Sequence, residues 1–315
     1  MIDITLFTPT YNRARTLHRV RESLLRQTLD PARFEWVIVD DGSSDGTREL
    51  VESWRDDPFA IRYFWQANAG KHVAWNRAVA AARGPLFTCL DSDDACVAHA
   101  LERFVTLWAS VSAERRRDLA GILVRCQEAD GTPVGPAFPK CDTADFVELV
   151  LLHAVNRDTW TALQTEILRA NPFPELRVPL LPESVLWHRL ARHRLWLLRD
   201  ECLHIRYSGE QGRADQLSRV SAFRFPAGMA LMHRSLLDNS WRFRWNVPGQ
   251  FVRASLHFDR FTLHAGLPVG GQIQELEQPG ARALCWALLP AAYVLYKLDA
   301  YRHLRPAAPP QTSPG

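Results

Sequence analysis

The stretch V-I-V-D-D-G-S-S-D-G-T, residues 37–47, decides how the rest of the chain is read. Trp36, Val37, Ile38 and Val39 form a continuous apolar run that stops on two adjacent carboxylates, Asp40 and Asp41. Gly42, two serines, Asp45 and Gly46 then make a tight polar turn. An apolar run without alternation suits a strand covered on both faces, as in a parallel sheet. Two neighbouring acids repel, so a strand that ends on both loses free energy unless something bound there offsets it. The expectation is therefore a ligand beyond the end of this strand.

Working outward, residues 2–9 read as a first strand, and Leu17, Val20, Leu24 and Leu25 follow at helical spacing. After the quoted turn, Asp45 or Thr47 can start a helix that buries Leu50, Val51 and Trp54. Residues 61–65 make a third strand, and residues 72–82 a helix of small residues that stops at Gly84. Residues 86–90 make a fourth strand, which also ends on acids: Asp91, Asp93 and Asp94. Strand and helix alternating four times over the first hundred residues predict an α/β fold with an open, mostly parallel sheet. Ligands of such sheets bind beyond the carboxyl ends of the strands, so both acidic clusters should face one crevice.

The later pattern is looser. A strand is expected over 121–127, a helix over 145–153, a proline-rich loop over 171–182, a helix over 183–194 and a strand over 195–198. From residue 221 the pattern turns helical and aromatic-rich, and residues 306–315 are proline-rich, with the composition of a disordered tail. The division is residues 1–220 as the α/β domain, 221–305 as a helical extension and 306–315 as a tail.

Composition excludes several classes. Of 315 residues, 47% are hydrophobic and 23% charged, which is ordinary for a globular protein. A formal charge of +3 is too small to argue for nucleic acid. Residues 1–100 hold 12 Lys/Arg against 14 Asp/Glu, a net of −2, so the remainder carries +5. Six scattered cysteines without a C-x-x-C pair speak against a zinc site or a disulfide framework and fit a reduced, cytoplasmic setting. The first residues show no basic segment of a signal peptide. The apolar run 283–296, flanked by Arg282 and Lys297 and broken by Pro290, is too short to span a bilayer. It reads as a buried helix; the alternative is peripheral contact with the inner face of a membrane through Trp286, Tyr293 and the basic flanks.

The chemistry concentrates in L-D-S-D-D, residues 90–94. Two carboxylates in a D-x-D at a strand end can meet one Mg2+ or Mn2+ together with substrate phosphates. Without a cation, three acids within five residues raise one another's pKa. No G-x-x-x-x-G-K-[ST] or G-x-G-x-x-G is present, so a phosphate ligand would be held mainly through metal. N-A-G-K-H, residues 68–72, is a polar turn into a helix start where Lys71 and free N–H groups can meet an anion.

P-T-Y-N-R (residues 9–13), V-D-D-G-S-S-D-G-T, N-A-G-K-H-V-A-W-N-R-A and L-D-S-D-D occur in that order at close spacing. Together they resemble the family 2 glycosyltransferases of the GT-A fold, over roughly residues 2–110. The resemblance implies transfer of a sugar from a nucleotide-diphosphate donor, a UDP-sugar by family habit, to a hydroxyl acceptor with inversion. A growing cell-surface glycan, as in the capsule type, or its lipid-linked precursor is the implied acceptor. It further implies that Thr8, Pro9 and Tyr11 line the nucleotide pocket and that Asp40, or its neighbour Asp41, accepts a hydrogen bond from the base. Gly70 and Lys71 would lie along the nucleotide and its phosphates, Asp91 would reach the ribose or the metal, and Asp93 would ligate the cation.

Inversion needs a base on the sugar face opposite the diphosphate. The resemblance points to Glu183 in L-P-E-S-V-L-W, although Ser184 stands where the capsule-type subgroup often has Gly; the bland reading is that Glu183 only favours the helix N-terminus. His204 is either a further metal ligand or a structural histidine. Residues 206–213 are a candidate loop over the diphosphate. Trp160, Trp187 and Trp196 either stack on an acceptor sugar or, the more usual case, fill the core. Two other classes remain open: a D-x-D phosphohydrolase with Asp91 as nucleophile, and a non-catalytic sugar-nucleotide binder or scaffold.

Overall fold

The computed structural model describes residues 1–155, 159–176, 178, 180–207 and 222–304. Residues 208–213 of the candidate loop and the proline-rich 306–315 lie outside them. The chain divides into two compact units, Met1–Val220 and Ser221–Gly315.

In the first unit, β1 (Ile4–Thr10), α1 (His18–Leu25), β2 (Phe34–Asp40), α2 (Thr47–Glu52), β3 (Ala60–Trp65), α3 (Lys71–Ala81) and β4 (Leu86–Cys89) realise the expected alternation. There follow β5 (Ala95–Cys96), α4 (Ala100–Ala109), α5 (Ala113–Arg116), β6 (Leu119–Glu128), β7 (Thr143–Ala144) and α6 (Phe146–Leu152). The unit closes with β8 (Thr159–Gln164), α7 (Thr165–Ala170), α8 (Ser184–Ala191) and β9 (Leu195–Arg206).

The sheet runs β3-β2-β1-β4-β8-β6-β9-β5, with β7 pairing to β9. The first four strands are parallel, β8 is antiparallel to both its neighbours, and β6 and β9 are parallel. Every residue of β2 is buried, as its unbroken apolarity requires. Trp36 stacks on Trp54 of the segment after α2 at 5.7 Å between ring centroids, and Phe34 packs on Phe59. Glu35, a buried acid of β2, accepts from Thr5 Oγ1 and the Arg83 N–H and pairs with Arg62, so its charge is compensated. Chain order reverses at β1, which has β2 on one side and β4 on the other. That is the switch point at which an open α/β sheet leaves a crevice beyond its strand ends.

The second unit comprises α9 (Pro226–Asn239), α10 (Pro248–His264), α11 (Val269–Gln274) and α12 (Pro279–Leu304). Phe251, Ala254, Phe258 and Phe261 of α10, with Leu237 of α9 and Ala281, Cys285 and Ala292 of α12, are buried and form its core.

Candidate active site

Asp40 and Asp41 satisfy themselves within the protein. Asp40 is fully buried; its Oδ1 accepts from the Ser43 N–H at 2.7 Å and its Oδ2 from the Tyr63 hydroxyl at 2.6 Å. Asp41 accepts from Gln66 Nε2 and from the N–H groups of Ala69 and Gly70, each at 2.8 Å. These donors offset the repulsion between the two acids within the protein: three neighbouring donors take up Asp41, and a turn N–H and a phenol bond Asp40. Asp40 closes the 40–43 turn, and Asp41 fastens the loop that leads into α3. Thr8 is fully buried, and its Oγ1 accepts from Trp36 Nε1 at 2.9 Å.

Pro9 is half-buried at the end of β1, and Tyr11 is exposed beside it. The loop they begin is latched to the turn after β2. The Asn12 N–H donates to Ser43 Oγ, the Ser44 N–H donates to Asn12 Oδ1, and the Ala14 N–H donates to Asp45 Oδ2. Asn12 holds a φ of 54°, a conformation that asparagine tolerates better than most residues. The acids and serines of the opening stretch thus hold two loops together along one rim.

Gly70 precedes α3 with a φ of 97°. A Cβ there would lie 2.7 Å from His72 Cε1 and 3.1 Å from the Val178 carbonyl, so both backbone angle and space demand glycine. Lys71, the first residue of α3, then reaches the site. Its Nζ lies 2.6 Å from Asp91 Oδ1 and 2.7 Å from Glu183 Oε1. One ammonium therefore joins the residue after β4 to the residue that opens α8. Burial works against the Lys71 charge, but Asp91 and Glu183 prevail and hold its pKa well above the ordinary lysine value. Burial works in the same way against the Asp91 carboxylate, and Lys71, with help from His204 and Arg13, holds its pKa below the ordinary value.

The remaining acids of the cluster differ. Burial and the repulsion of Asp94 and Asp91 push the Asp93 pKa up, with Arg13 acting in the opposite sense. Asp94 pairs with His204, whose Nε2 lies 3.0 Å from Asp94 Oδ2. The other ring nitrogen, Nδ1, lies 3.1 Å from Cys126 Sγ. Burial would lower the His204 pKa, but Asp94 and Cys126 raise it to about 10. Both ring nitrogens are engaged, so His204 joins the cluster through Asp94. Arg19 donates to the Asp93 carbonyl and stacks over the Tyr207 ring at 4.3 Å.

Among the described residues no three His, Cys, Asp or Glu side chains converge as a metal cage. Two hard carboxylates in an acid-crowded loop nevertheless suit Mg2+ or Mn2+, which take one or two protein oxygens and leave the rest of the shell to phosphates and water. Burial is the main cause of the raised Asp93 pKa; a cation would relieve the smaller part that comes from Asp94 and Asp91.

Glu183 sits at the N-terminal end of α8 without capping it, and its side chain is 37% exposed. The loop before it is pinned by α3. The amide of Asn76 donates to the Phe173 carbonyl at 2.8 Å and accepts from the Phe173 N–H at 2.9 Å, and the His72 ring bonds the Leu176 carbonyl. Arg189 of α8 donates to the Asn171 and Pro172 carbonyls. Neither Asn76 nor Arg189 was distinguishable in sequence as a holder of this loop. The only hint is the N-A-G-K-H-V-A-W-N-R-A motif, which places Asn76 on the same helix as Lys71. Trp160, Trp187 and Trp196 are buried, and Trp160 Nε1 donates to the Cys89 carbonyl, so these rings pack the core.

Residues 5–113 match the family model described as Glycosyl transferase family 2. An uncharacterized glycosyltransferase of Nostoc is 35% identical over 129 residues, covering 41% of this chain and 38% of that protein. Validoxylamine A glucosyltransferase of Streptomyces hygroscopicus subsp. limoneus is 42% identical over 91 residues, 28% of this chain and 20% of that one. The chain thus spans well under half the length of these curated relatives. Among solved structures, TarS 1-349 of S. aureus, in complex with UDP-GlcNAc, superposes with a TM-score of 0.64 at 18% identity, over 96% of this chain and 90% of that one. The mannosyltransferase PcManGT of Pyrobaculum calidifontis, in complex with GDP-Man and Mn2+, gives 0.53 at 16%, over 94% and 87%. The expected GT-A architecture is therefore the one observed, and residues 5–113 resemble the family 2 glycosyltransferases.

Proposed function

We propose that the protein transfers a sugar from a nucleotide-diphosphate donor, with a UDP-sugar favoured, to a hydroxyl of a glycan or lipid-linked acceptor, with inversion and with Mn2+ or Mg2+. The observation that carries this reading is the convergence of Asp91, Lys71 and Glu183 on one point beyond β4. The nucleotide sugars named with TarS and PcManGT support the donor class, and the Mn2+ named with PcManGT supports the metal.

In this reading Asp91 and Asp93 hold the cation. When bound, it supplies positive charge against the negative charge that grows on the leaving diphosphate. Glu183 is the general base. Its Oε takes the acceptor hydroxyl proton as the acceptor oxygen bonds the anomeric carbon. The bond from that carbon to the diphosphate oxygen breaks with its electron pair leaving on the diphosphate. Partial exposure leaves Glu183 open to an acceptor, and the Lys71 ammonium fixes the position of its carboxylate. Gly70 brings the backbone close to the donor side, Thr8, Pro9 and Tyr11 border the nucleotide, and Asp40 or its neighbour Asp41 accepts a hydrogen bond from the base. His204 acts on the acidic loop through Asp94.

A thermal-shift panel of UDP-, GDP- and dTDP-sugars with and without Mn2+ identifies the donor, because a ligand that binds only the folded state raises the melting temperature. With that donor, Glu183→Gln should keep the shift and lose about a hundred- to ten-thousand-fold in turnover. Turnover equal to wild type would assign the base elsewhere. Donor binding without turnover of any acceptor or water, in the wild type, would favour a binding protein.

A further inference from the structure

Among the described residues, the helix α12 is largely apolar and is covered on one side only. Ala281, Cys285, Ala292 and Asp299 point inward and are buried. Trp286, Tyr293, Val294, Leu298 and Tyr301 lie on the opposite face, and are 44%, 49%, 56%, 48% and 60% exposed. At 100° per residue these positions, with Pro290 and Ala283, fall on one contiguous stripe. From Trp286 to Tyr301 the stripe runs for about 22 Å. Among the described residues, Lys297 is the only charged one at its exposed positions, and its ammonium sits 5.2 Å from the Tyr293 ring centroid. A helix that is apolar on every side normally has partners on every side. An exposed apolar stripe of this length marks an interaction surface.

The charge around the stripe selects the partner. Residues 221–315 hold ten Lys/Arg against five Asp/Glu, a net of +5. Three of those five acids, Asp238, Asp259 and Asp299, are buried, and Asp238 and Asp299 pair with Arg234 and Arg260. Gly280, in the first turn of α12, abuts the Trp241 ring, where a Cβ would lie 2.7 Å from Cζ2. The chain after Trp241 carries Arg242, Arg244 and a 79% exposed Trp245, with Arg244 lying over the Trp245 ring. Aromatic residues spaced along an aliphatic stripe, with cations beside them, match the boundary between acyl chains and anionic headgroups. A second copy of the chain would bring +5 against +5 across the same face. No described helix is long and apolar enough to cross a membrane, so contact would be in the plane of the surface.

We propose that the exposed face of α12 docks on the surface of a bilayer containing anionic lipid. The surface stands on α12 and its surroundings alone; its use in presenting a lipid-carried acceptor rests on the transferase reading above. The test is flotation of the full chain with vesicles of phosphatidylcholine and with equimolar phosphatidylcholine and phosphatidylglycerol, at low and high salt. Wild type should float with the anionic vesicles at low salt, less at high salt, and little with phosphatidylcholine alone. Trp286→Ser and Val294→Glu should each weaken binding about tenfold or more while leaving the melting temperature near wild type, since both side chains are exposed. Three results overturn the proposal: no binding to anionic vesicles at low salt; binding of Val294→Glu equal to wild type; or a stable wild-type dimer by light scattering that Val294→Glu converts to monomer. The assay contains no sugar donor, so its failure leaves the transferase reading where it stood, and loss of turnover leaves the flotation result intact.

Discussion

Because the Lys71 ammonium lies within 2.7 Å of both Asp91 and Glu183, removing it leaves two carboxylates facing each other across the site. Those carboxylates are 48% and 37% exposed, so water screens much of the resulting repulsion. Lys71→Met should therefore cost about 1 kcal/mol of stability or less. Its larger effect should fall on turnover, which loses a cation beside the leaving diphosphate; urea titration and initial rates on the same preparation separate the two. A different residue-scale effect belongs to Asp259 of α10. It is fully buried, both carboxylate oxygens lack a strong partner, and burial raises its pKa to about 7 against an ordinary 3.8. The Cys285 thiol, itself lifted by burial to about 12, opposes the rise, but burial prevails. A carboxyl with a raised folded-state pKa favours the folded state while protonated. Its contribution is complete below about pH 4 and is lost as pH rises through about 7. By pH 8 the loss is on the order of 4 kcal/mol. Asp259→Asn should therefore raise the melting temperature at pH 8 and flatten its decline between pH 4 and 8. Parallel wild-type and mutant curves would place the pH dependence elsewhere.

At the scale of elements, α3 holds the site together. Its first residue is Lys71, its preceding glycine is tied to Asp41, and its outer turns grip the 171–176 loop through His72 and Asn76. Asn76 uses its amide as a strand uses its backbone, giving and taking one bond with Phe173. Asn76→Ala should cost about 1–3 kcal/mol through the stranded Phe173 groups. It should also lower the apparent kcat more than the donor affinity, because the loop carries Glu183 and not the donor loops; kcat and donor Kd measured together check this. Gly70→Ala, at a φ of 97° and with the Val178 carbonyl 3.1 Å from the new Cβ, should destabilise by about 1–3 kcal/mol, read from chemical denaturation. Much of the α3 neighbourhood was legible as local pattern: the polar turn, the helix of small residues and the stop before Gly84. The pairing of Asn76 with Phe173 was not, because a hydrogen bond between residues so far apart in the chain leaves no periodicity. β9 shows the same limit. Its first four residues read as a strand, but the run continues to Arg206, since pairing with β6 and β5 recruits polar positions that alternation does not mark.

For the whole molecule, the parallel order β3-β2-β1-β4 delivers Asp40, Pro9 and Asp91 to the same edge of the sheet. If Asp91 and Asp93 hold a divalent ion, chelation should abolish transfer, and Mn2+ or Mg2+ should restore it; Asp93→Asn should weaken that restoration more than it weakens folding, read by metal titration of the rate and by melting temperature. A protein that transfers sugar at full rate in chelator would remove the metal from the reading.

What the sequence alone determined was local and periodic: four strands, the turns that end them, the acids at two of those ends and the order of four motifs. These are set by backbone preference and side-chain pattern within a few residues. Tertiary structure decided how the acids are used. Asp40 and Asp41 looked like ligands because their repulsion needed an answer. The fold supplied the answer from Tyr63, Gln66 and three backbone N–H groups, which proximity in space provides and spacing in the chain does not reveal.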